Sequence, residues 1–400
     1  MRYSDEELLG FADTYLAHNY SPFPVFIERG DGCWVWDRNS KKYLDMLSCY
    51  SALNFGHLHP RIVLAVLEQL CRVTTVPGCL LTEEKTLFIK ELTEFCGMEM
   101  VLPMNTGAEA VETALKMARK WGYVKKNIPE NEAEIIVLKD NFHGRTITIV
   151  SFSTESQYKD NFGPHTPGFK VIPFGDAQAL RDAITPNTCA FLVEPIQGEG
   201  GINVPPDGYL KECLNICREN NVLFMADEIQ TGFSRTGDRF ACDYEDVKPD
   251  VYILGKALGG GVMPVSAVVS SREIMGVYNP GDHGSTFAGS PLACHVGREA
   301  LRIHNDEQLS RKAYFMGAYF TNKLKGIKSP HLLKIRGRGL LIGLELTPGS
   351  PSAHSFCEKL IDEGILCKEA RTDVIRLSPP LTITSEDIYW ATDKIEKVLS

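Results

Sequence analysis

Three short stretches carry residues that could act on one ligand. The run Val251-Tyr252-Ile253-Leu254 ends in Gly255-Lys256, followed by Ala257, Leu258 and three glycines. Most lysines are solvated surface groups. A lysine at the exit of a buried strand, between glycine and alanine, lets a bulky ligand come close. Desolvated near another cation, it has a lowered pKa and becomes a nucleophile toward carbonyl carbon. A second run, Phe224-Met225-Ala226, leads straight into Asp227 and Glu228, then Ile229-Gln230-Thr231-Gly232. In open α/β sheets, ligands sit at the carboxyl ends of strands. A carboxylate there can be a metal ligand, a helix cap or the partner of a cationic ring, and strand alternation favours Asp227 over Glu228. The third stretch is Met104-Asn105-Thr106-Gly107-Ala108-Glu109. Thr106 and Glu109 fit a capping box. Read further, Gly107 and Ala108 are small enough for a phosphate to reach the N–H groups and dipole of a helix start.

These stretches need a scaffold, and the spacing of apolar residues supplies one. Short apolar runs at Ile135–Leu138, Ile147–Ser151, Cys189–Val193, Val222–Ala226 and Val251–Leu254 read as strands buried on both faces. Helical spacing appears at Ile62–Gln69, Glu83–Phe95, Glu109–Trp121 and Tyr209–Asn220. Strands alternating with helices predict an α/β domain with a mostly parallel, helix-covered sheet. From about Gly297 the pattern becomes a long helical stretch, Arg298–Leu324. It is followed by strand candidates Leu332–Ile335, Leu340–Leu346 and Val374–Leu377 and by helices Ser355–Glu363 and Ser385–Leu399. This predicts a smaller α+β C-terminal domain. The expected division is an N-terminal segment 1–50, a large domain 51–296 and a small domain 297–400. A hairpin around Cys33-Trp34-Val35-Trp36 lies in the first of these.

Composition narrows the partners. The chain has 400 residues, 44% hydrophobic and 23% charged, enough for a large core without staples. Its net charge of −9 and lack of a Lys/Arg block argue against nucleic acid. The most membrane-like run, Val251–Val269, contains Lys256, a glycine triplet and Pro264 and does not read as a spanning helix. The 12 cysteines are scattered without a C-x-x-C pair, which fits a reducing compartment. Cys213 and Cys217 read as small buried side chains, and no metal site is expected. The start, Met1-Arg2-Tyr3-Ser4 followed by acids, lacks the apolar core of a signal peptide. Gly337-Arg338-Gly339 with Gly343 has the wrong spacing for a dinucleotide loop. His57 and His59 before Pro60 read as a turn.

Seven ordered motifs give the chain a family resemblance. They are Gly56–Pro60 (G-H-x-H-P), Asn105–Ala110 (N-T-G-x-E-A), Phe142–Thr146 (F-H-G-R-T) and Val193–Glu199 (V-E-P-I-Q-G-E). Then come Ala226–Gly232 (A-D-E-I-Q-T-G), Gly255–Leu258 (G-K-A-L) and His283–Phe287 (H-G-S-T-F). Together they resemble the class III (ω-) aminotransferases, pyridoxal phosphate enzymes of fold type I, from Asn19 to Pro380. The resemblance implies that Lys256 bonds the cofactor and later moves the proton. Asp227 pairs with the ring nitrogen, Gln230 contacts the phenolic oxygen, and Phe142 and Ile229 cover the two ring faces. Thr106, Gly107 and Ala108 cradle the phosphate. Ser285 and Thr286 complete the set, with Thr286 reaching the phosphate of the partner subunit in a homodimer with shared sites.

Within the family, Tyr20 and Tyr50 resemble the branch that acts on the δ-amine of ornithine. There they would hold the α-amino and α-carboxylate end. Arg145 would bind substrate carboxylates. Glu199 and Arg376 would form a two-substrate switch: free Arg376 binds 2-oxoglutarate, and Glu199 masks it while ornithine reacts. A purely structural ion pair is the plainer reading of those two. His143 stands where some ornithine-specific members carry tryptophan, so acetylornithine or another ω-amino acid is the alternative donor. A 2,1-aminomutase, a decarboxylase and a scaffold without turnover are the other classes; Lys256, Asp227 and Arg376 together speak against the last. The implied setting is the cytoplasm, with small-molecule substrates only.

Overall fold

The apolar runs pair into a seven-stranded sheet in the computed structural model, which describes residues 3–400. Met1 and Arg2, the first two residues of the N-terminal reading, lie outside the described residues. Ahead of the large sheet come β1 (Ile27–Asp31), β2 (Trp34–Asp37) and β3 (Lys42–Asp45), the expected hairpin plus one strand. The large sheet consists of β4 (Met100–Met104), β5 (Glu134–Leu138), β6 (Phe169–Ile172), β7 (Thr188–Val193), β8 (Leu223–Asp227), β9 (Val251–Leu254) and β10 (Ser266–Ser270). Their order is β4-β10-β9-β8-β7-β5-β6. Neighbours from β9 to β6 run parallel, and β10 is antiparallel to both β4 and β9. The small domain holds β11 (Leu332–Arg338), β12 (Leu341–Leu346), β13 (Ile365–Leu366), β14 (Lys368–Ala370) and β15 (Val374–Leu377). Four of these form the antiparallel order β11-β12-β15-β14, while β13 pairs parallel with β3. The N-terminal strands are thus continuous with a piece of the C-terminal region. Residues 296 and 297 fall inside the helix Pro291–Asp306.

Strand alternation sorts the sheet's side chains onto two faces. Ile135, Val137, Leu223 and Met225 pack under the helix Gly107–Val124. Ile136, Leu138, Phe224 and Ala226 pack under helices Ala177–Ala183 and Tyr209–Glu219. Asp227, in step with Leu223 and Met225, therefore belongs to the face of helix Gly107–Val124. Cys213 and Cys217 are buried in the second core, as read from the sequence.

Three expectations are corrected. Ile147–Ser151 is a short helix, not a strand: Thr146 caps it by accepting the Ile149 N–H, and Ser151 Oγ donates back to Ile147 O. Its β-branched run mimics strand composition. The long stretch Arg298–Leu324 is two helices, Pro291–Asp306 and Leu309–Lys325, broken where Gln308 takes a left-handed conformation. Strands β4, β6 and β10 were not foreseen. β4 carries Pro103, tolerated because it is an edge strand; β6 carries Lys170 at the other edge; β10 begins and ends in serine.

Candidate active site

The parallel pairing of β8 with β9 sets Asp227 opposite Ile253, just before Gly255 and Lys256 leave the sheet. Lys256 opens a 3-10 turn with φ 45°, in the left-handed region. That conformation costs a non-glycine residue roughly 1–2 kcal/mol, and such strain gathers at functional sites. Burial lowers the pKa of its ammonium group; Glu199 partly restores it, and Arg376 lowers it further. A neutral amine is the form that attacks carbonyl carbon or accepts a proton.

Asp227 is oriented by two donors. Its Oδ2 accepts from His143 Nδ1 at 2.7 Å and its Oδ1 from the Ile229 N–H at 3.1 Å. A carboxylate only accepts, so the His143 proton sits on Nδ1. Burial alone would lower the imidazole pKa, but the hydrogen bond and charge of Asp227 outweigh it and raise it. Behind them, Glu194 accepts the Phe142 N–H at 2.7 Å, and burial pushes its carboxyl up to about 7. Glu228 has another task. It is fully buried, accepts from Thr231 Oγ1 and from the Cys242 N–H at 2.9 Å, and burial pushes it up to about 7. It ties the loop after β8 to the chain near Cys242, while Asp227 faces the site.

The phosphate cradle is built by division of labour. Glu109 Oε2 takes the N–H groups of Asn105 (3.0 Å) and Thr106 (2.7 Å), and Thr106 Oγ1 takes the Glu109 N–H (3.2 Å). The N–H groups of Gly107 and Ala108 have no partner within the helix and remain for an anion. The Thr106 hydroxyl, already an acceptor, keeps its proton to donate. A Cβ on Gly107 would come within 3.2 Å of Ile229 Cδ1, so the glycine preserves the gap between cradle and Ile229. Ser266 Oγ donates to Thr106 O at 2.7 Å and anchors the cradle to β10. Ser285 lies against the same helix start: its Oγ accepts from Asn105 Nδ2 at 2.8 Å and donates to Glu109 at 3.3 Å. Thr286 beside it is exposed.

On the other side, Arg376 in β15 is fully buried and pairs through Nη1 with Glu199. Among the described residues its Nε and Nη2 have no acceptor, so a second carboxylate could be received there. Burial would raise the Glu199 pKa, yet the charges of Arg376 and then Lys256 bring it below the usual value. Arg376 lies 4.8 Å from the Tyr50 ring centroid. Gln230 hydrogen-bonds Glu199 and donates to Tyr50 O at 3.4 Å. Tyr20 is 62% exposed and sits close enough to Tyr50 to bear on its titration. Arg145 is exposed, with its guanidinium 4.3 Å from the Tyr158 ring centroid and 5.9 Å from that of Phe142; among the described residues it makes no ion pair.

The residues singled out in the sequence therefore converge around Lys256, with Tyr20, Arg145 and Thr286 on the open rim. Two were missed. His143 was read only as a departure from a family pattern, although it is the buried partner of Asp227. Arg235 gave no signal, because its acceptors are Ser48, Asn54, Leu340 and Pro379, far away in sequence.

The set fits pyridoxal phosphate: an amine whose pKa burial lowers, an anionic acceptor for a ring nitrogen, an apolar slot beside Ile229 and open helix N–H groups for phosphate. Comparison with known proteins agrees. Residues 15–399 match the family described as Aminotransferase class-III. The chain is 55% identical to an ornithine aminotransferase of Brevibacillus brevis, over 97% of this chain and 96% of that one. It superposes with TM-score 0.97 and 45% identity on an ornithine aminotransferase of Toxoplasma gondii whose active site holds pyridoxal phosphate at partial occupancy, covering 99% of this chain and 94% of that one. An acetylornithine aminotransferase of Elizabethkingia anophelis gives TM-score 0.90 and 43% identity, covering 100% and 99%. Backbone shape alone does not separate the two donors.

Proposed function

The chain belongs to the class-III aminotransferases, and from that membership we propose that it moves the δ-amino group of L-ornithine to 2-oxoglutarate, giving glutamate 5-semialdehyde and glutamate. The identity to the Brevibacillus brevis ornithine aminotransferase supports the donor. The cofactor is pyridoxal 5′-phosphate. When bound, it supplies a carbonyl that takes up the amine and a ring that accepts the electron pair left as a Cδ proton departs.

The protein's part is to hold and to move protons. Lys256 would hold the cofactor, and its amine, when free, would take the proton from Cδ and deliver it across the transferred nitrogen to the carbon that had been the cofactor's carbonyl carbon. Asp227, held by His143, keeps the proton on the ring nitrogen. Gly107, Ala108 and Thr106 hold the phosphate, Ile229 and Phe142 cover the ring, and Gln230 supplies its amide to the phenolic oxygen. Tyr20 and Tyr50 hold the α-end of ornithine and leave the δ-amine to react, with Arg145 at the rim for carboxylates. The observation that carries the two-substrate reading is the Glu199–Arg376 pair beside Lys256. With Glu199 in place the site accepts a cationic amino acid. With Glu199 displaced, Arg376 offers a two-pronged donor to the α-carboxylate of 2-oxoglutarate.

A homodimer with shared sites belongs to the same proposal. The helix Pro60–Leu70 turns Leu64, Leu67 and Leu70 outward, and Leu80 and Leu81 follow, all of them exposed. Grouped apolar exposure of this kind marks a protein interface, and Thr286 stands free to reach across it. All twelve cysteines are free, which supports a cytoplasmic setting. Among the described residues no helix is long and apolar enough to cross a membrane.

A donor panel with 2-oxoglutarate tests the proposal. Ornithine is expected to outrun N-acetylornithine and 4-aminobutyrate in kcat/KM. Glu199→Ala is expected to shrink the preference for ornithine over glutamate as donor by about tenfold or more, since one charged pairing is worth about 1.5–3 kcal/mol. A preference for N-acetylornithine overturns the roles of Tyr20 and Tyr50. An unchanged ornithine-to-glutamate ratio in Glu199→Ala leaves the pair a structural one.

A further inference from the structure

Ser48, Cys49, Tyr50 and Ser51 hold φ values of 43°, 46°, 58° and 76°, four left-handed residues in a row with no glycine among them. Such a run persists only where its surroundings over-determine it. Two buried groups do so. Asp45 Oδ1 accepts the N–H groups of Leu47 (2.8 Å) and Ser48 (2.7 Å), while its Oδ2 meets His57 Nε2 at 2.8 Å. From the other side comes Arg235, fully buried, with no carboxylate among its hydrogen-bond partners. Its Nη1 donates to Leu340 O (3.0 Å) and Pro379 O (2.6 Å), and its Nη2 to Ser48 Oγ (3.1 Å) and Asn54 Oδ1 (2.6 Å).

The contacts continue beyond the guanidinium. Ser48 Oγ donates to Ser378 O at 2.6 Å, and the Ser378 N–H donates to Met46 O at 2.7 Å. Asn54 Nδ2 donates to Phe233 O at 2.9 Å. One side chain thereby joins four segments: its own loop after Gln230, the turn that displays Tyr50, the stretch just after Arg376, and the turn between β11 and β12 at Leu340. Desolvation pulls the Arg235 pKa down to about 9, so the charge is kept here against a burial cost. Neutral acceptors meet it on several sides, as a clamp between segments requires.

We propose that Arg235 is a positioning residue for the donor amino acid: through Ser48 it fixes the left-handed turn, and with it the place of Tyr50 against Arg376. Lys256, in the turn after β9, and Asp227, at the end of β8, are carried by their own strands, and neither is among the hydrogen-bond partners of Arg235. The inference rests on the reading of Tyr50 as a donor contact, and the test keeps the two apart.

Arg235→Lys keeps the charge but cannot span the same acceptors. Should it fail to fold, Ser48→Ala is the milder variant, leaving Arg235 its other three acceptors. In either, KM for ornithine is expected to rise about tenfold, the worth of one hydrogen bond to a charged group. The loss falls on KM rather than kcat, and the visible absorbance of the bound cofactor is retained. In a Tyr50→Ala background Ser48→Ala is expected to change KM by less than about twofold, because coupled residues are not additive. Equal KM factors in the two backgrounds overturn the clamp and leave Tyr50's role standing. A Tyr50→Ala chain with wild-type KM overturns that role and the clamp with it.

Discussion

Lys256→Ala is expected to lower turnover of ornithine by at least about ten-thousand-fold, since it removes a covalent anchor and a proton carrier together. On the proposed reading the anchor would hold the cofactor at the mouth of β9, and the carrier would be this same amine, whose pKa burial depresses, with Glu199 opposing the shift and Arg376 adding to it. No neighbouring group substitutes: Glu199 is engaged with Arg376, and Asp227 with His143. Steady-state rates would show the loss. Borohydride treatment followed by peptide mass mapping would show its cause: the wild-type chain retains the cofactor on the peptide containing Lys256, and the variant retains none. A variant with turnover within about a hundredfold of wild type would remove Lys256 from the chemistry, as a lone general base is worth about that much or more.

Asp227→Ala is expected to cost about two to three orders of magnitude in kcat, because losing one electrostatic partner at a reacting centre costs about 2.7–4 kcal/mol in the barrier and each 1.36 kcal/mol is a factor of ten. The loss has two parts, an uncompensated His143 and a ring nitrogen without its anion. Asp227→Asn separates them, since it keeps the shape and removes the charge. The pH dependence of stability carries a further sign. His143 has a raised pKa in the folded chain, so its pairing adds stability that is full below the ordinary histidine value. That stability is lost as pH climbs through the raised one. Asp227→Asn is expected to flatten this part of a Tm–pH curve, and a curve parallel to wild type would mean that the pair does not titrate as described.

Much of this site could be read from the chain because its parts sit next to one another in sequence. Gly255-Lys256 follows the strand that delivers it, Asp227 ends its own strand, and Thr106 to Glu109 form a cap within one helical turn. Local patterns report such features directly. Arg235 lies at the other extreme: its four acceptors come from residues 48, 54, 340 and 379, and nothing in Ser234-Arg235-Thr236 announces them. His143 falls between. Its identity was noted, but its role needs Asp227 brought 2.7 Å away by the folding of the sheet. The same logic governs the elements. β9 and the Cys189–Val193 part of β7 are apolar runs that the sequence marks as strands, whereas β4, β6 and β10 carry proline, lysine or serine that only their sheet positions explain. Ile147–Ser151 misled because β-branched composition outweighed the single cap at Thr146 that makes it a helix.

The central claim is that the amine handed over is the distal one. Ornithine labelled with nitrogen-15 at either the δ or the α position, incubated with the holoenzyme and unlabelled 2-oxoglutarate, measures this directly by mass spectrometry of the glutamate formed. Label arriving in glutamate from δ-labelled ornithine, and not from α-labelled ornithine, is the predicted result. Label arriving from the α position would contradict it, since Tyr20 and Tyr50 would then be holding the wrong end of the substrate.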